Sequence, residues 1–125
     1  MGTSASLAAF KGENYLSLES IRKNGIAVAT PVWFAEQDGV IYVYSEAVAA
    51  KVKRIRNNPR VRIAPCTYNG KLRGEWVPAT AKIVDGAEEE MAQRLLDRKY
   101  WLKRLGNWYQ RWRGYPRTTI AIRVE

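Results

Sequence analysis

Short apolar runs alternate with turn signals along most of the chain. The triplets "KNG" at 23–25, "QDG" at 37–39 and "YNG" at 68–70 combine polar residues with a glycine, a composition that breaks β-structure into hairpins. Between them the side-chain pattern has the two-residue period of strands. Residues 15–22, "YLSLESIR", predict the first strand. In "IAVATPVWFA", 26–35, Ile26, Val28, Thr30, Val32 and Phe34 alternate with Ala27, Ala29, Pro31, Trp33 and Ala35. Both sets are largely apolar, so both faces of this strand are expected to be covered. Pro31 has no amide donor and belongs at a sheet edge or a bulge. "VIYVYS" at 40–45 predicts a third strand, reached through an Asp38-Gly39 hairpin turn.

The period then changes. Val48, Val52 and Ile55 recur at helical spacing, which predicts a short helix over 47–57, ended by Asn57, Asn58 and Pro59. "RVRIAPCT" at 60–67 and "EWVPATAKIV" at 75–84 predict the fourth and fifth strands. Asp85 followed by Glu88 resembles a capping box, opening a second helix with Met91, Leu95, Leu102 and Leu105 along one face. "TTIAIRVE" at 118–125 predicts a closing strand with Thr118, Ile120, Ile122 and Val124 on one face. The expected molecule is a single domain over 1–125, mainly β within the α+β class. About six strands and two or three helices are anticipated. A small barrel is favoured over an open sheet because it leaves no exposed edge.

Composition narrows the chemistry. With 125 residues and 46% apolar content, the chain can build a core without disulfides. It contains no histidine, which excludes imidazole acid–base catalysis and His-ligated metal. The single cysteine, Cys66, excludes an internal disulfide and any CxxC site, and points to a reduced, cytoplasmic setting. Cys66 lies in an apolar strand and is expected to be a buried structural thiol. No metal site is expected. No apolar run reaches membrane-spanning length and no signal peptide is visible. The net charge of +9 favours anionic partners.

Much of that charge falls in 45–66, which holds Lys51, Lys53, Arg54, Arg56, Arg60 and Arg62. With Val52 and Ile55 facing a core, Lys51 and Arg54 share one helix flank while Lys53 and Arg56 face solvent. Two cations on one flank, with the Ser45 hydroxyl nearby, suit a phosphate. The same spacing also describes an ordinary solvated helix face. The segment "YWLKRLGNWYQRWRGYPR", 100–117, mixes Trp101, Trp108, Tyr109, Trp112 and Tyr115 with basic residues. It is expected to cover the barrel or a dimer seam, or to line an acceptor pocket. No RNA-binding motif accompanies it, so no nucleic-acid partner is expected.

The run "VIYVYSEAVAAKVKRIRNNPRVRIAPC" and the preceding "NGIAVATPVWFAEQDG" resemble the flavin and deazaflavin split-barrel proteins related to pyridoxamine 5'-phosphate oxidase. The resemblance rests on Tyr44-Ser45 at a strand end, Lys51 on a short helix, and Asn58-Pro59-Arg60-Val61. It covers roughly residues 13–85, with a weaker match over the last strand. "TPVWF" at 30–34, "KVKR" at 51–54 and "APC" at 64–66 are most similar to the branch that uses coenzyme F-420.

The resemblance implies an FMN-binding-type split β-barrel with short helices. It implies a homodimer with the cofactor in a groove at the dimer interface. The cofactor phosphate would meet Lys51, Arg54 and Ser45, and its ring would lie along Thr30, Pro31, Val32 and Trp33. The implied activity is hydride transfer between coenzyme F-420 and a small organic acceptor. FMN is the alternative cofactor, and a non-catalytic flavin-binding protein the alternative role. Pyridoxamine phosphate oxidases commonly carry Arg before the helix Lys; here Ala50 stands there, and Arg54 would supply the charge from the next turn. Arg56, Lys71 and Arg73 are the candidates for the acidic tail of F-420. Thr30 suits either a bond to the ring edge or an ordinary strand position, Trp33 either a ring wall or core, and Tyr44 interface packing. No catalytic side chain is assigned, because hydride transfer requires positioning more than proton chemistry.

Overall fold

A computed structural model describes residues 7–46, 50–100 and 117–125. The strands are β1 (Tyr15–Ile21), β2 (Ala27–Val32), β3 (Phe34–Gln37), β4 (Val40–Glu46), β5 (Arg60–Cys66), β6 (Val77–Val84) and β7 (Arg117–Val124). Helix α1 spans Ala50–Asn57 and helix α2 spans Gly86–Tyr100. The strands form one sheet in the order β2-β1-β5-β6-β7-β4-β3, with every neighbouring pair antiparallel. Among the described residues no helix is long and apolar enough to cross a membrane.

The two strands at the ends of that order follow each other in the chain, separated only by Trp33. The strand expected over 26–35 is therefore one bent run that borders the sheet on both sides. The sheet curls until its ends meet at Trp33, giving the mainly β small barrel that the pattern suggested, in the split-barrel form that the resemblance implies. Pro31 lies in β2, an end strand, with its side chain exposed, where a missing amide hydrogen costs no ladder bond.

Register shows how the core forms. Leu18 faces Ile63, Val61 faces Ala79, and Ala81 faces Ile122, which in turn faces Ile41. Ile120 faces Val43, and Val43 faces Phe34. Directly opposed residues share a face, so these pairs make one continuous apolar lining. Val52 and Ile55 of α1 are buried in the same core, and α1 packs against β1 and β6. Helix α2 lies on the outer side of β3, β4 and β7, burying Ala92 and Leu96 with Met91 and Leu95 half-buried beside them. Val48, Leu102, Leu105 and, in the basic C-terminal run, Trp101, Trp108, Tyr109, Trp112 and Tyr115 fall outside the described residues.

The turns follow their residue types. Asp38 (φ 55°) and Gly39 (φ 82°) both adopt positive φ, the conformation of a type I′ hairpin turn. The "YNG" signal also turns the chain tightly: the Gly70 amide donates to the Thr67 carbonyl at 3.0 Å, the Thr67 amide to the Lys71 carbonyl at 2.9 Å and the Arg73 amide to the Pro65 carbonyl at 2.7 Å, and Leu72 bridges Cys66 in antiparallel register. Gly74 fits there because a Cβ would stand 2.7 Å from Pro65 Cγ.

Glu88 in the first turn of α2 accepts a hydrogen bond from the Tyr42 hydroxyl at 2.8 Å, and Arg123 approaches the same carboxylate at 3.7 Å. Burial, and then the Glu88 hydrogen bond and charge, push the Tyr42 phenol up to about 12. Above pH 10 the unfolded chain releases this proton while the folded chain keeps it, so stability falls as pH rises from 10 toward 12. Denaturant titrations across this range should show that decline in the wild type and a shallower one in Tyr42→Phe. At neutral pH Tyr42→Phe should cost about 1–2 kcal/mol, because it leaves the Glu88 carboxylate without its donor.

Candidate functional site

Two apolar anchors set the orientation of α1. With Val52 and Ile55 held in the core, the flank carrying Arg54 is turned against β1, whereas Lys53 and Arg56 are exposed as expected. Arg54 is half-buried, and its Nε donates to Ser20 Oγ at 2.6 Å. Its other guanidinium nitrogens have no partner among the described residues. Burial lowers the pKa of Arg54, and the positive charge of Arg22 lowers it further; no carboxylate offsets either effect. Lys51, on the same flank, is half-buried.

The strand that faces this flank is β1 with its neighbour β2. Ser20 stands opposite Val28, Leu18 opposite Thr30, and Leu16 opposite Val32. Thr30 thus lies on the inner face, and its Oγ1 is buried without a hydrogen-bond partner. Pro31 is exposed on the opposite face, Val32 is buried, and Trp33 sits half-buried at the bend. Trp33 meets Tyr15 edge-on at 6.2 Å between centroids and packs with Tyr44 against Ala35 and Leu96. Part of the Trp33 side chain is therefore core.

Ser45 is fully buried on β4 opposite Thr118. The hydroxyl that meets Arg54 belongs to Ser20, a residue that sequence reasoning missed. A signal for it existed: Ser20 continues the row of Leu16 and Leu18, so it is a polar residue on an otherwise apolar face.

The expected covering of both faces of the 26–35 strand is not met within one chain. Ile26 is 53% exposed, and Ala27, Ala29 and Pro31 are exposed along β2. A Cβ on Gly70 would come within 3.9 Å of Pro31, so the β5–β6 connection, carrying the 73%-exposed Tyr68, runs alongside this open face. Two basic residues are already engaged. Arg73, a candidate for an acidic tail, pairs through Nε with Glu13 at 2.8 Å. Arg62 binds Glu19 through two contacts of 2.5 and 2.8 Å, with its guanidinium 4.9 Å from the Trp76 ring centroid. Lys71 and Arg56 remain exposed.

A cavity of about 570 Å³ is lined by Leu7, Phe10, Lys11, Phe34, Glu36 and Lys99 among others, and includes none of the predicted site residues. Lys99 donates to the Phe34 carbonyl at 2.7 Å and lies 3.7 Å over its ring centroid, so this cation is held by β3. No group of acidic, cysteine or histidine side chains among the described residues could hold a metal ion.

The family model described as Pyridoxamine 5'-phosphate oxidase matches residues 3–125. No curated protein matches the chain in sequence. Solved structures share its fold. The conserved hypothetical protein Rv2991 of Mycobacterium tuberculosis is 21% identical, with 100% of this chain and 81% of that one covered and a TM-score of 0.70. A FAD-binding protein of Mesorhizobium loti is 14% identical, with 100% and 89% covered and a TM-score of 0.69. A heme-binding protein of Mycobacterium smegmatis is 13% identical, with a TM-score of 0.72; all of this chain aligns to 52% of that one.

Cys66 is buried at the end of β5 beside a second cavity of about 280 Å³ that it shares with Glu13 and Arg73. Burial and then the Glu13 charge raise its thiol above the usual value, which disfavours the reactive thiolate. A thiol-specific reagent at pH 8 should leave the native protein unmodified over minutes and label one thiol at once in denaturant. Rapid labelling of the native protein would contradict this placement.

Proposed function

The chain belongs to the pyridoxamine 5'-phosphate oxidase family, and from this we propose that it binds a phosphorylated flavin-type cofactor against β2 and α1. The observation that carries the reading is Arg54: a half-buried guanidinium steadied by a neutral hydroxyl, with no carboxylate partner and its remaining donors unengaged among the described residues. A buried cation left so is costly unless an anion joins it. Lys51 and Arg54 on one flank would hold the phosphate as charge-assisted donors. The ring would lie along Thr30 to Trp33, where β2 leaves its outer backbone edge unpaired. The unpartnered Thr30 hydroxyl and the aromatic wall at Trp33 suit a planar ring with a polar rim.

The proposed activity is that of an oxidoreductase working with coenzyme F-420 on a small organic acceptor. Such a cofactor supplies the hydride-carrying ring when bound. The chain's own part is to orient it, exclude water and seat the acceptor against it, which needs no histidine. Ala50 in place of an arginine before Lys51 weighs toward the deazaflavin; the FAD-binding relative of the same fold supports FMN as the second reading. Another relative binds heme, but this chain has no histidine to offer an iron. The open face of β2, with Ile26, Ala29 and Pro31, is the surface that a second copy would cover, completing the cofactor groove.

Tryptophan fluorescence titrations with FMN and with coenzyme F-420 test this reading. F-420 should bind more tightly; tighter binding of FMN would leave the FMN reading in its place. Lys51→Ala should weaken binding about tenfold, the loss of one charge-assisted contact, while exposed Lys53→Ala should leave it unchanged. Equal losses at both positions would mean a diffuse basic patch rather than a site.

Light scattering at micromolar concentration should give twice the chain mass of 14.3 kDa. The monomer mass would refute the homodimer and with it the shared groove.

A further inference from the structure

The β1–β2 turn places a second arginine beside Arg54. Ser20, which receives the Arg54 Nε bond, and Arg22 are two residues apart on an extended run, so their side chains leave the same face. The run stays extended through Arg22, because its amide donates to the Ile26 carbonyl at 2.9 Å. Its own carbonyl accepts from Gly25 at 2.8 Å, and the Asn24 side chain accepts from the Ile26 amide at 3.1 Å. Gly25, at φ 87°, allows this tight closure. A well-bonded turn therefore holds Arg22 close enough to Arg54 for its positive charge to act on the Arg54 guanidinium. The Arg22 side chain has no partner among the described residues.

Two guanidinium groups on one face, without a carboxylate partner among the described residues, repel each other. Like charges brought together destabilise a fold, and surface arginines normally turn apart or take a carboxylate. Each of these arginines also offers planar donors suited to a phosphate. We propose that Arg22 is a third arm of the anion site, closing with Arg54 on one phosphate group. The proposal rests on the cofactor reading above and adds a residue that the Lys51 helix motif does not contain. It makes the β1–β2 turn part of the site: two elements distant in sequence, 20–22 and 51–54, converge on one oxyanion.

The test compares Arg22→Gln, Arg22→Lys, Arg54→Gln and exposed Lys53→Gln in the full chain. The probes are FMN, coenzyme F-420 and inorganic phosphate at matched ionic strength. Without ligand, Arg22→Gln should melt at or above the wild-type temperature, because a repulsion is removed and no bond is lost. It should bind whichever cofactor the wild type binds about five- to tenfold more weakly, with a shallower dependence on salt. Arg22→Lys should recover part of that loss, and Lys53→Gln should match the wild type. Stabilisation by inorganic phosphate that shrinks in Arg22→Gln would show the arms reading the phosphate alone. A loss confined to the cofactors would show that the phosphate must arrive attached to the ring. Either result supports the assignment. Wild-type affinity in Arg22→Gln, or a lower melting temperature without ligand, overturns it. If Arg54→Gln loses affinity and Arg22→Gln does not, only the Arg22 assignment fails. If neither does, the cofactor reading fails with it.

Discussion

One short run of chain has to serve both borders of the sheet, and the rest of the structure depends on that. Residues 27–32 pair with β1 and residues 34–37 pair with β4, with Trp33 alone between them. A flat sheet cannot satisfy both ladders, so the sheet curls and its inner face becomes a closed apolar surface. Helix α1 completes that surface through Val52 and Ile55. Full burial of such side chains contributes about 1.5–3 kcal/mol each, far more than an exposed ion pair. The helix is thus oriented by its apolar stripe, and Arg54 is carried against β1 by packing that favours the stripe and not the cation.

That geometry leaves a local conflict. A half-buried guanidinium close to a second arginine has a serine hydroxyl for its partner and no carboxylate among the described residues to offset its burial. Other cations of the chain are either exposed, as Lys53 and Arg56 are, or paired, as Arg62 is with Glu19 and Arg73 with Glu13. Sequences tend to be consistent across levels except where function requires otherwise. The exception here coincides with the flank that the family resemblance assigns to phosphate, and with the open edge of β2.

Much of the architecture was legible in the residues. Period-two runs marked the strands, Asp38-Gly39 marked the hairpin, and Val52 with Ile55 marked the buried side of α1. The break at Trp33 was not legible, because the apolar alternation runs through it without interruption; closing the sheet, a tertiary constraint, decides where the strand bends. The buried face of α2 was only half read, since Ala92 carries little hydrophobic signal and Leu96 sits beside the more conspicuous Leu95. "YNG" marked a tight turn as well, closed by the Thr67–Lys71 and Thr67–Gly70 backbone bonds, although the strand beyond it is only the short return at Leu72. At the site, helical spacing put Lys51 and Arg54 on one flank. It could not say that Ser20 meets Arg54, nor that Arg73 is held by Glu13, because both depend on contacts between segments far apart in sequence.

The proposed place for an anionic group is between α1 and the β1–β2 edge, where Arg54 has no counter-charge among the described residues. A crystal structure of the protein with the tighter-binding of FMN and coenzyme F-420 measures that position directly. The account predicts phosphate oxygens within hydrogen-bonding reach of Lys51 and the Arg54 guanidinium, with the ring laid along Thr30 to Trp33. A phosphate seated elsewhere, for example in the cavity beside Phe34 and Lys99, with Arg54 still bound only to Ser20, would contradict it.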